Sequence, residues 1–157
     1  MNDYCVRKLF APLGSLSARE ALGRSVALAA TTFGDGLIAV VAFGSWARGE
    51  AADGSDLDLL VVVDAGVRID RGTYRAWDAV PIPRTDHPVD AHFLHLPEPG
   101  TPIAGIWAEA ALDGIVLFDR GLRLSRRLIE IRHDVASGRI VRRFSHGQPY
   151  WIDGAAA

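Results

Sequence analysis

Seven consecutive apolar residues, Leu37–Phe43, followed directly by Gly44, constrain the fold more than any other feature of this chain. A half-exposed strand alternates polar and apolar residues, so an unbroken apolar run of this length predicts a strand buried on both faces. Two further strands are predicted over Asp56–Val63 and over Val89–Leu96, the latter entered through Pro88. The sequence therefore predicts a domain built around a buried sheet.

Segments with helical patterns separate and flank these strands. Helices are predicted over Ser17–Phe33, Ser45–Glu50, Val67–Val80 (ended by Pro81 and Pro83), Ile103–Leu112 and Leu122–Ser137, and a short fourth strand over Ile115–Phe118. We expect a small mixed α/β sheet with its helices mainly on one face and an acidic site on the other. Residues 1–138 form the expected domain, and residues 139–157 form a C-terminal arm of the same domain.

Composition excludes several classes of protein. A length of 157 residues with 49% apolar residues is that of one globular domain. Cys5 is the only cysteine, so no internal disulfide can form, which is typical of the reducing cytoplasm. The formal charge of −2 is too small to imply binding to nucleic acid or a membrane by bulk electrostatics. No membrane helix or secretory signal is recognisable, and we expect a cytoplasmic protein without direct nucleic-acid binding.

Two aspartates open the second predicted strand. Side chains two residues apart on a strand point to the same face, so Asp56 and Asp58 are expected to lie side by side. They would repel one another unless a cation lay between them. Mg²⁺ is a natural candidate, because it is bound by a few carboxylates together with substrate phosphates.

A glycine–serine pair stands where the first strand turns into a helix. Gly44 allows the backbone to approach a ligand closely, and Ser45 adds a hydroxyl donor beside the N–H groups of a helix start. A phosphate-binding turn beside paired carboxylates is suited to phosphoryl or nucleotidyl transfer. Asp90, on the next strand, would supply a third carboxylate that accepts a proton or helps to bind a second metal ion.

The arrangement Gly-Ser, ten intervening residues, Asp-x-Asp and a later strand aspartate resembles the nucleotidyltransferase superfamily that includes DNA polymerase β. The sequence of Gly44–Gly49, Gly-Ser-Trp-Ala-Arg-Gly, is similar to that of the minimal nucleotidyltransferases of this superfamily, the antitoxins encoded beside HEPN-domain toxins. The resemblance implies that Gly44 and Ser45 hold the triphosphate. It also implies that Asp56 and Asp58 bind two Mg²⁺ ions and that Asp90 is the third acid.

The resemblance implies an activity as well. Such antitoxins resemble enzymes that transfer AMP from ATP to a tyrosine of the partner toxin and so silence its ribonuclease activity. Two alternatives stay open. A small-molecule nucleotidyltransferase would share every site residue, although such enzymes usually carry a further substrate-binding domain. A non-catalytic module would neutralise a toxin by binding alone.

Three basic side chains near this motif have two interpretations each. Arg48 is predicted to contact a phosphate of the nucleotide, or else covers the short helix with its aliphatic stem. His92 is in phase with Asp90 and so faces the same side of its strand, whereas His95 is out of phase. A structural role is the simpler interpretation of either histidine.

The C-terminal third is basic and aromatic. Residues Arg120–Arg143 contain eight arginines and only two acidic residues, Glu130 and Asp134. Such a basic segment is typical of a surface that binds an acidic partner, of a surface that binds RNA, or simply of a solvated helix face. The arm that follows carries Phe144, Tyr150 and Trp151. We expect these aromatic residues to dock the arm onto its own domain or onto a partner.

Overall fold

A computed structural model describes residues 16–80 and 87–154 of the chain. Cys5 and the prolines at positions 81 and 83 lie outside the described residues. Within them, four strands form one sheet in the order β3-β2-β1-β4. They are β1 (Leu37–Phe43), β2 (Leu57–Val63), β3 (Val89–His95) and β4 (Ile115–Asp119).

The sheet is mixed, as predicted. β1 is antiparallel to both β2 and β4, whereas β2 and β3 are parallel. All seven residues of β1 are buried, because this strand has a neighbour on each edge and helices above and below. The parallel pair matters most for function, since it sets the start of β2 beside the start of β3.

Five helices accompany the sheet within residues 16–80 and 87–154. They are α1 (Leu16–Phe33), α2 (Gly44–Ala47), α3 (Arg71–Asp78), α4 (Gly105–Asp113) and α5 (Arg123–Ala136), with 3₁₀ turns at Gly34–Gly36 and Arg120–Leu122. α3 begins four residues later than the predicted Val67, because Asp70 caps it. The Asp70 carboxylate accepts hydrogen bonds from the N–H groups of Gly72 and Thr73, and this capping fixes the first turn of the helix. None of the helices within 16–80 and 87–154 is both long and apolar enough to cross a membrane.

Helices cover both faces of the sheet, so the expectation of helices mainly on one face is wrong. On the first face, Leu59 and Val61 of β2 pack with α1 and with Trp77 of α3. On the second face, Leu60 and Val62 pack with α4 and α5. The reason is that both faces of the central strands are apolar beyond their first turn and must be shielded from water. Asp58 lies at one end of the second face, where it pairs with Phe43.

The C-terminal arm folds back as a hairpin of β5 (Ile140–Ser145) and β6 (Gln148–Asp153). Its two-residue turn, His146-Gly147, has positive φ at both positions, which tight hairpin turns favour. Trp151 docks the hairpin on α4, where its indole Nε1 donates a hydrogen bond of 3.0 Å to Glu109 Oε1. Phe144 and Tyr150 remain exposed. The arm therefore docks onto its own domain through one of its three aromatic residues.

Candidate active site

The start of the parallel pair β2–β3 brings two carboxylates together. Asp58 and Asp90 are direct partners in the strand register. His92, two residues further along β3, joins them. One ligand atom from each of these three side chains lies within 4.8 Å of the other two. We call this group the Asp58–Asp90–His92 cluster.

Gly44 forms one wall of the cluster. Its φ of 76° lies in the left-handed region, and a Cβ added to it would lie 2.0 Å from Asp58 Oδ2 and 2.9 Å from Asp58 Cγ. The contact follows from the register, because the preceding residue, Phe43, pairs with Asp58 across β1 and β2. Glycine is therefore required here by the Asp58 side chain itself, a constraint that comes in addition to the close ligand approach predicted from sequence.

Asp56 is set apart from the cluster. It is exposed, it precedes the first residue of β2, and among the described residues it is not a member of the group of potential metal ligands. Leu57 donates its N–H to the carbonyl of Pro88, so regular pairing begins after Asp56. The Asp56 charge still acts on the site, since it is one of the charges that raise the pKa of Asp58.

Burial raises the pKa of Asp58, and it is the largest of the causes. The negative charges of Asp90 and Asp56 raise this pKa further, whereas His92 and Arg48 lower it. Ionised Asp58 is thus incompletely compensated by the groups around it. Two carboxylates and an imidazole without a full complement of positive charge fit a divalent cation, which would be held by Asp58 and Asp90.

Arg48 follows α2 and is held by two glutamates. Its Nε donates to Glu50 Oε2 at 2.8 Å, and its Nη1 donates to Glu109 Oε2 at 3.3 Å. The hydrogen bond to Glu50 raises the pKa of Arg48, and burial partly opposes this rise. The positive charge of Arg48 also acts on Asp58, because it lowers the pKa of that carboxyl group. A contact with nucleotide phosphate stays a prediction for this side chain, as does phosphate binding by Ser45, which is half-buried beside Gly44.

Glu109 was not singled out from the sequence. Its carboxylate receives hydrogen bonds from Arg48 and Trp151, and Arg142 lies 3.9 Å from its Oε1. A signal was present, because Glu109 is the only charged residue in the apolar stretch Gly105–Leu112. A lone charge on a helix packed against the core requires partners, and the sequence does not reveal which partners these are.

The two histidines of β3 lie as predicted. His92 faces the Asp90 side, with Nε2 3.4 Å from Asp90 Oδ2, and its ring meets the Phe43 ring edge-on at a centroid distance of 5.7 Å. His95 faces the other side, where its Nε2 lies 2.7 Å from the carbonyl oxygen of Val67. The alternation of the strand thus separates a histidine at the site from one that bonds to a loop.

A cavity of about 980 Å³ lies elsewhere, between α5, the segment before α4 and the hairpin. Arg127 lines it, but the guanidinium of Arg127 donates to the carbonyls of Pro97 and Glu98 and to the Glu130 carboxylate. No member of the Asp58–Asp90–His92 cluster lines this cavity. The cavity is therefore separate from the group of side chains with catalytic chemistry.

Comparison with known proteins finds a family model that matches less than half of the chain. Residues 30–99 match the family model described as nucleotidyltransferase domain. This segment includes β1, α2, β2, α3 and β3 and contains all six predicted site residues, which are Gly44, Ser45, Arg48, Asp56, Asp58 and Asp90. This segment is therefore similar to a nucleotidyltransferase domain, in agreement with the resemblance of its motif.

Solved structures with similarity to the chain include toxin–antitoxin structures. Two are mutants of the toxin–antitoxin MntA-HpeT. The first has 14% identity and a TM-score of 0.46, and the second has 15% identity and a TM-score of 0.47. A third is a toxin–antitoxin with AMP-PNP, at 15% identity and a TM-score of 0.46. Each similarity covers 74% of this chain and 90% of the other. No curated protein matches the sequence significantly.

Proposed function

We propose that this chain is a metal-dependent nucleotidyltransferase that transfers AMP from ATP to a tyrosine of a partner HEPN ribonuclease toxin in the cytoplasm, and so acts as an antitoxin. One observation carries the enzymatic part of this proposal. Asp58 and Asp90 meet in register at the start of two parallel strands, inside the segment that matches the nucleotidyltransferase domain.

The proposed chemistry assigns a task to each side chain. Asp58 and Asp90 would hold the cation, which would neutralise the charge of the polyphosphate when bound. Asp56 completes the acidic edge from its exposed position, while Gly44, Ser45 and Arg48 contact the triphosphate. The acceptor hydroxyl attacks the α-phosphate, an oxygen–phosphorus bond forms, and the bond to pyrophosphate breaks. A free oxygen of the Asp90 carboxylate accepts the proton of the hydroxyl.

A protein acceptor fits the openness of the site. The side chains of Asp90 and His92 are 57% and 41% exposed. A tyrosine presented on the surface of a partner can therefore reach the Asp90 carboxylate. The toxin partner itself is proposed from the resemblance of Gly44–Gly49 to the minimal nucleotidyltransferases.

The test is transfer of label from ATP to the product of the neighbouring gene. Native protein, Mg²⁺ and ATP labelled at the α-phosphate should label the partner, whereas label at the γ-phosphate should not be transferred. Asp58→Asn and Asp90→Asn should each abolish transfer. Asp64→Asn is the matched control, because Asp64 directly follows the far end of β2, where it pairs with Arg123.

The alternatives give different results in the same experiment. A small-molecule nucleotidyltransferase would leave the partner unlabelled and would label a low-molecular-weight acceptor. A binding module would transfer no label, and Asp58→Asn would protect cells from the toxin as well as the native chain does. Either result, or equal labelling by native protein and Asp58→Asn, refutes the proposed function.

A further inference from the structure

His92 offers a nitrogen donor at the same point as the two carboxylates. Its Nε2 lies 3.4 Å from Asp90 Oδ2, which is longer than a normal hydrogen bond. One ligand atom each of Asp58, Asp90 and His92 falls within 4.8 Å of the others. Two ligands of one ion, each about 2.0–2.2 Å from it, are at most about 4.4 Å apart. The spread of the three atoms is thus close to that of ligands sharing one ion.

The His92 ring contacts Phe43 and lies near the two carboxylates. The Phe43 ring meets the His92 ring edge-on. In the strand register His92 pairs with Leu60, two residues further along the strands than the Asp58–Asp90 pair. Asp56, which the motif makes the expected partner of Asp58, stands outside the cluster. The described structure therefore pairs Asp58 with one carboxylate and one imidazole.

Donor chemistry decides which cation such a set favours. Mg²⁺ takes oxygen ligands almost exclusively, and an imidazole adds little to its binding. Divalent first-row transition metals accept imidazole together with carboxylates, and their affinity for such sites rises from Mn²⁺ to Cu²⁺ and is lower again for Zn²⁺. A mixed set of two carboxylates and one imidazole should therefore discriminate against Mg²⁺.

We propose that His92 is a direct ligand of the cation at this site, with Asp58 and Asp90, and that the site consequently binds Mn²⁺ more tightly than Mg²⁺. This inference rests on the proposed function for the existence of the cation site. It adds a nitrogen ligand to the acidic residues of the motif and assigns a metal preference to this chain.

The experiment measures Mn²⁺ binding to the full chain by electron paramagnetic resonance, with Mg²⁺ affinity obtained by competition. Electron spin echo modulation of the bound Mn²⁺ should show a directly coordinated ¹⁴N nucleus. Mutation of a residue that only hydrogen-bonds to a metal ligand already changes the metal affinity by about 10–100-fold, and loss of a direct ligand should change it at least as much. His92→Asn should therefore weaken Mn²⁺ binding at least about tenfold, remove the ¹⁴N modulation and leave Mg²⁺ affinity within about threefold.

His95→Asn is the matched control, because His95 lies on the same strand but faces Val67. It should bind Mn²⁺ as the native chain does. Native protein without ¹⁴N modulation overturns the inference, and this readout depends on no variant. Mn²⁺ binding that is lost in Asp58→Asn but unchanged in His92→Asn overturns the inference and leaves the proposed function standing. A native chain that binds neither ion and transfers no AMP refutes both.

Discussion

Replacing Gly44 by alanine should cost far more than replacing Gly49, although both glycines have nearly the same backbone conformation. Their φ angles are 76° and 74°. A side chain at either position in the left-handed region costs roughly 1–2 kcal/mol. A Cβ at Gly49 meets nothing within 4 Å, whereas a Cβ at Gly44 would lie 2.0 Å from Asp58 Oδ2. Overpacking of this kind adds about 1–3 kcal/mol.

Gly44→Ala should therefore lower the free energy of unfolding by about 2–5 kcal/mol, against about 1–2 kcal/mol for Gly49→Ala. The overlap involves the Asp58 carboxylate itself, so the first variant should disturb the Asp58–Asp90 pair. AMP transfer should therefore be lost in the first variant and kept in the second. Urea denaturation followed by circular dichroism measures the stabilities, and the labelling assay measures activity.

A double-mutant cycle isolates the contact. In an Asp58→Ala background the atoms at 2.0 and 2.9 Å are gone and only Cβ, at 3.2 Å, is left. The cost of Gly44→Ala should then approach that of Gly49→Ala. Equal costs for the two glycines in the native background, or an unchanged cost of Gly44→Ala when Asp58 is alanine, would show that the close approach does not constrain this turn.

Three further substitutions test other parts of the structure. Burial raises the pKa of Asp58 in the folded state, so its ionised form costs stability at neutral pH. Asp58→Asn should stabilise the metal-free protein, and this gain should shrink as the pH falls through the raised pKa towards the ordinary value of 3.8, as urea titrations across pH will measure. Asp70→Ala removes the acceptor for the Thr73 N–H and should cost about 1 kcal/mol in chemical denaturation. Trp151→Phe removes the N–H donated to Glu109 and should also cost about 1 kcal/mol.

Matched controls separate these effects from general damage. Asp78→Ala, at the C-terminal end of the helix that Asp70 caps, should be neutral or slightly stabilising, because an acid is unfavourable there. Tyr150→Phe changes an exposed neighbour of Trp151 and should leave the unfolding midpoint unchanged. If Asp70→Ala and Asp78→Ala shifted the midpoint equally, the capping explanation would be wrong. A Tyr150→Phe variant as unstable as Trp151→Phe would contradict the role given to the indole N–H.

Local patterns predicted the strands of the sheet well, and strand alternation predicted part of the acidic cluster. The apolar run gave the bounds of β1, and strand alternation placed Asp58, Asp90 and His92 on one side. The same alternation placed Asp56 beside Asp58, but it holds only inside a strand. Because β2 begins at Leu57, the rule does not extend to Asp56.

What the sequence could not predict depends on contacts between distant residues. Helices on the second face are required by apolar residues such as Leu60 and Val62, yet which helices cover them depends on chain connectivity. Glu109 meets Arg48 across 61 positions and Trp151 across 42. A pattern with a period of two or of 3.6 residues carries no information on such pairs.

Glu109 divides its two oxygens between different parts of the molecule. Oε2 accepts the hydrogen bond from Arg48, beside the candidate site, and Oε1 accepts the one from Trp151 of the hairpin. A partner that pulled on the exposed aromatic rings of the hairpin would therefore turn the very carboxyl group that anchors the arginine. The hairpin and the turn after β1 are thus both hydrogen-bonded to one carboxylate, that of Glu109.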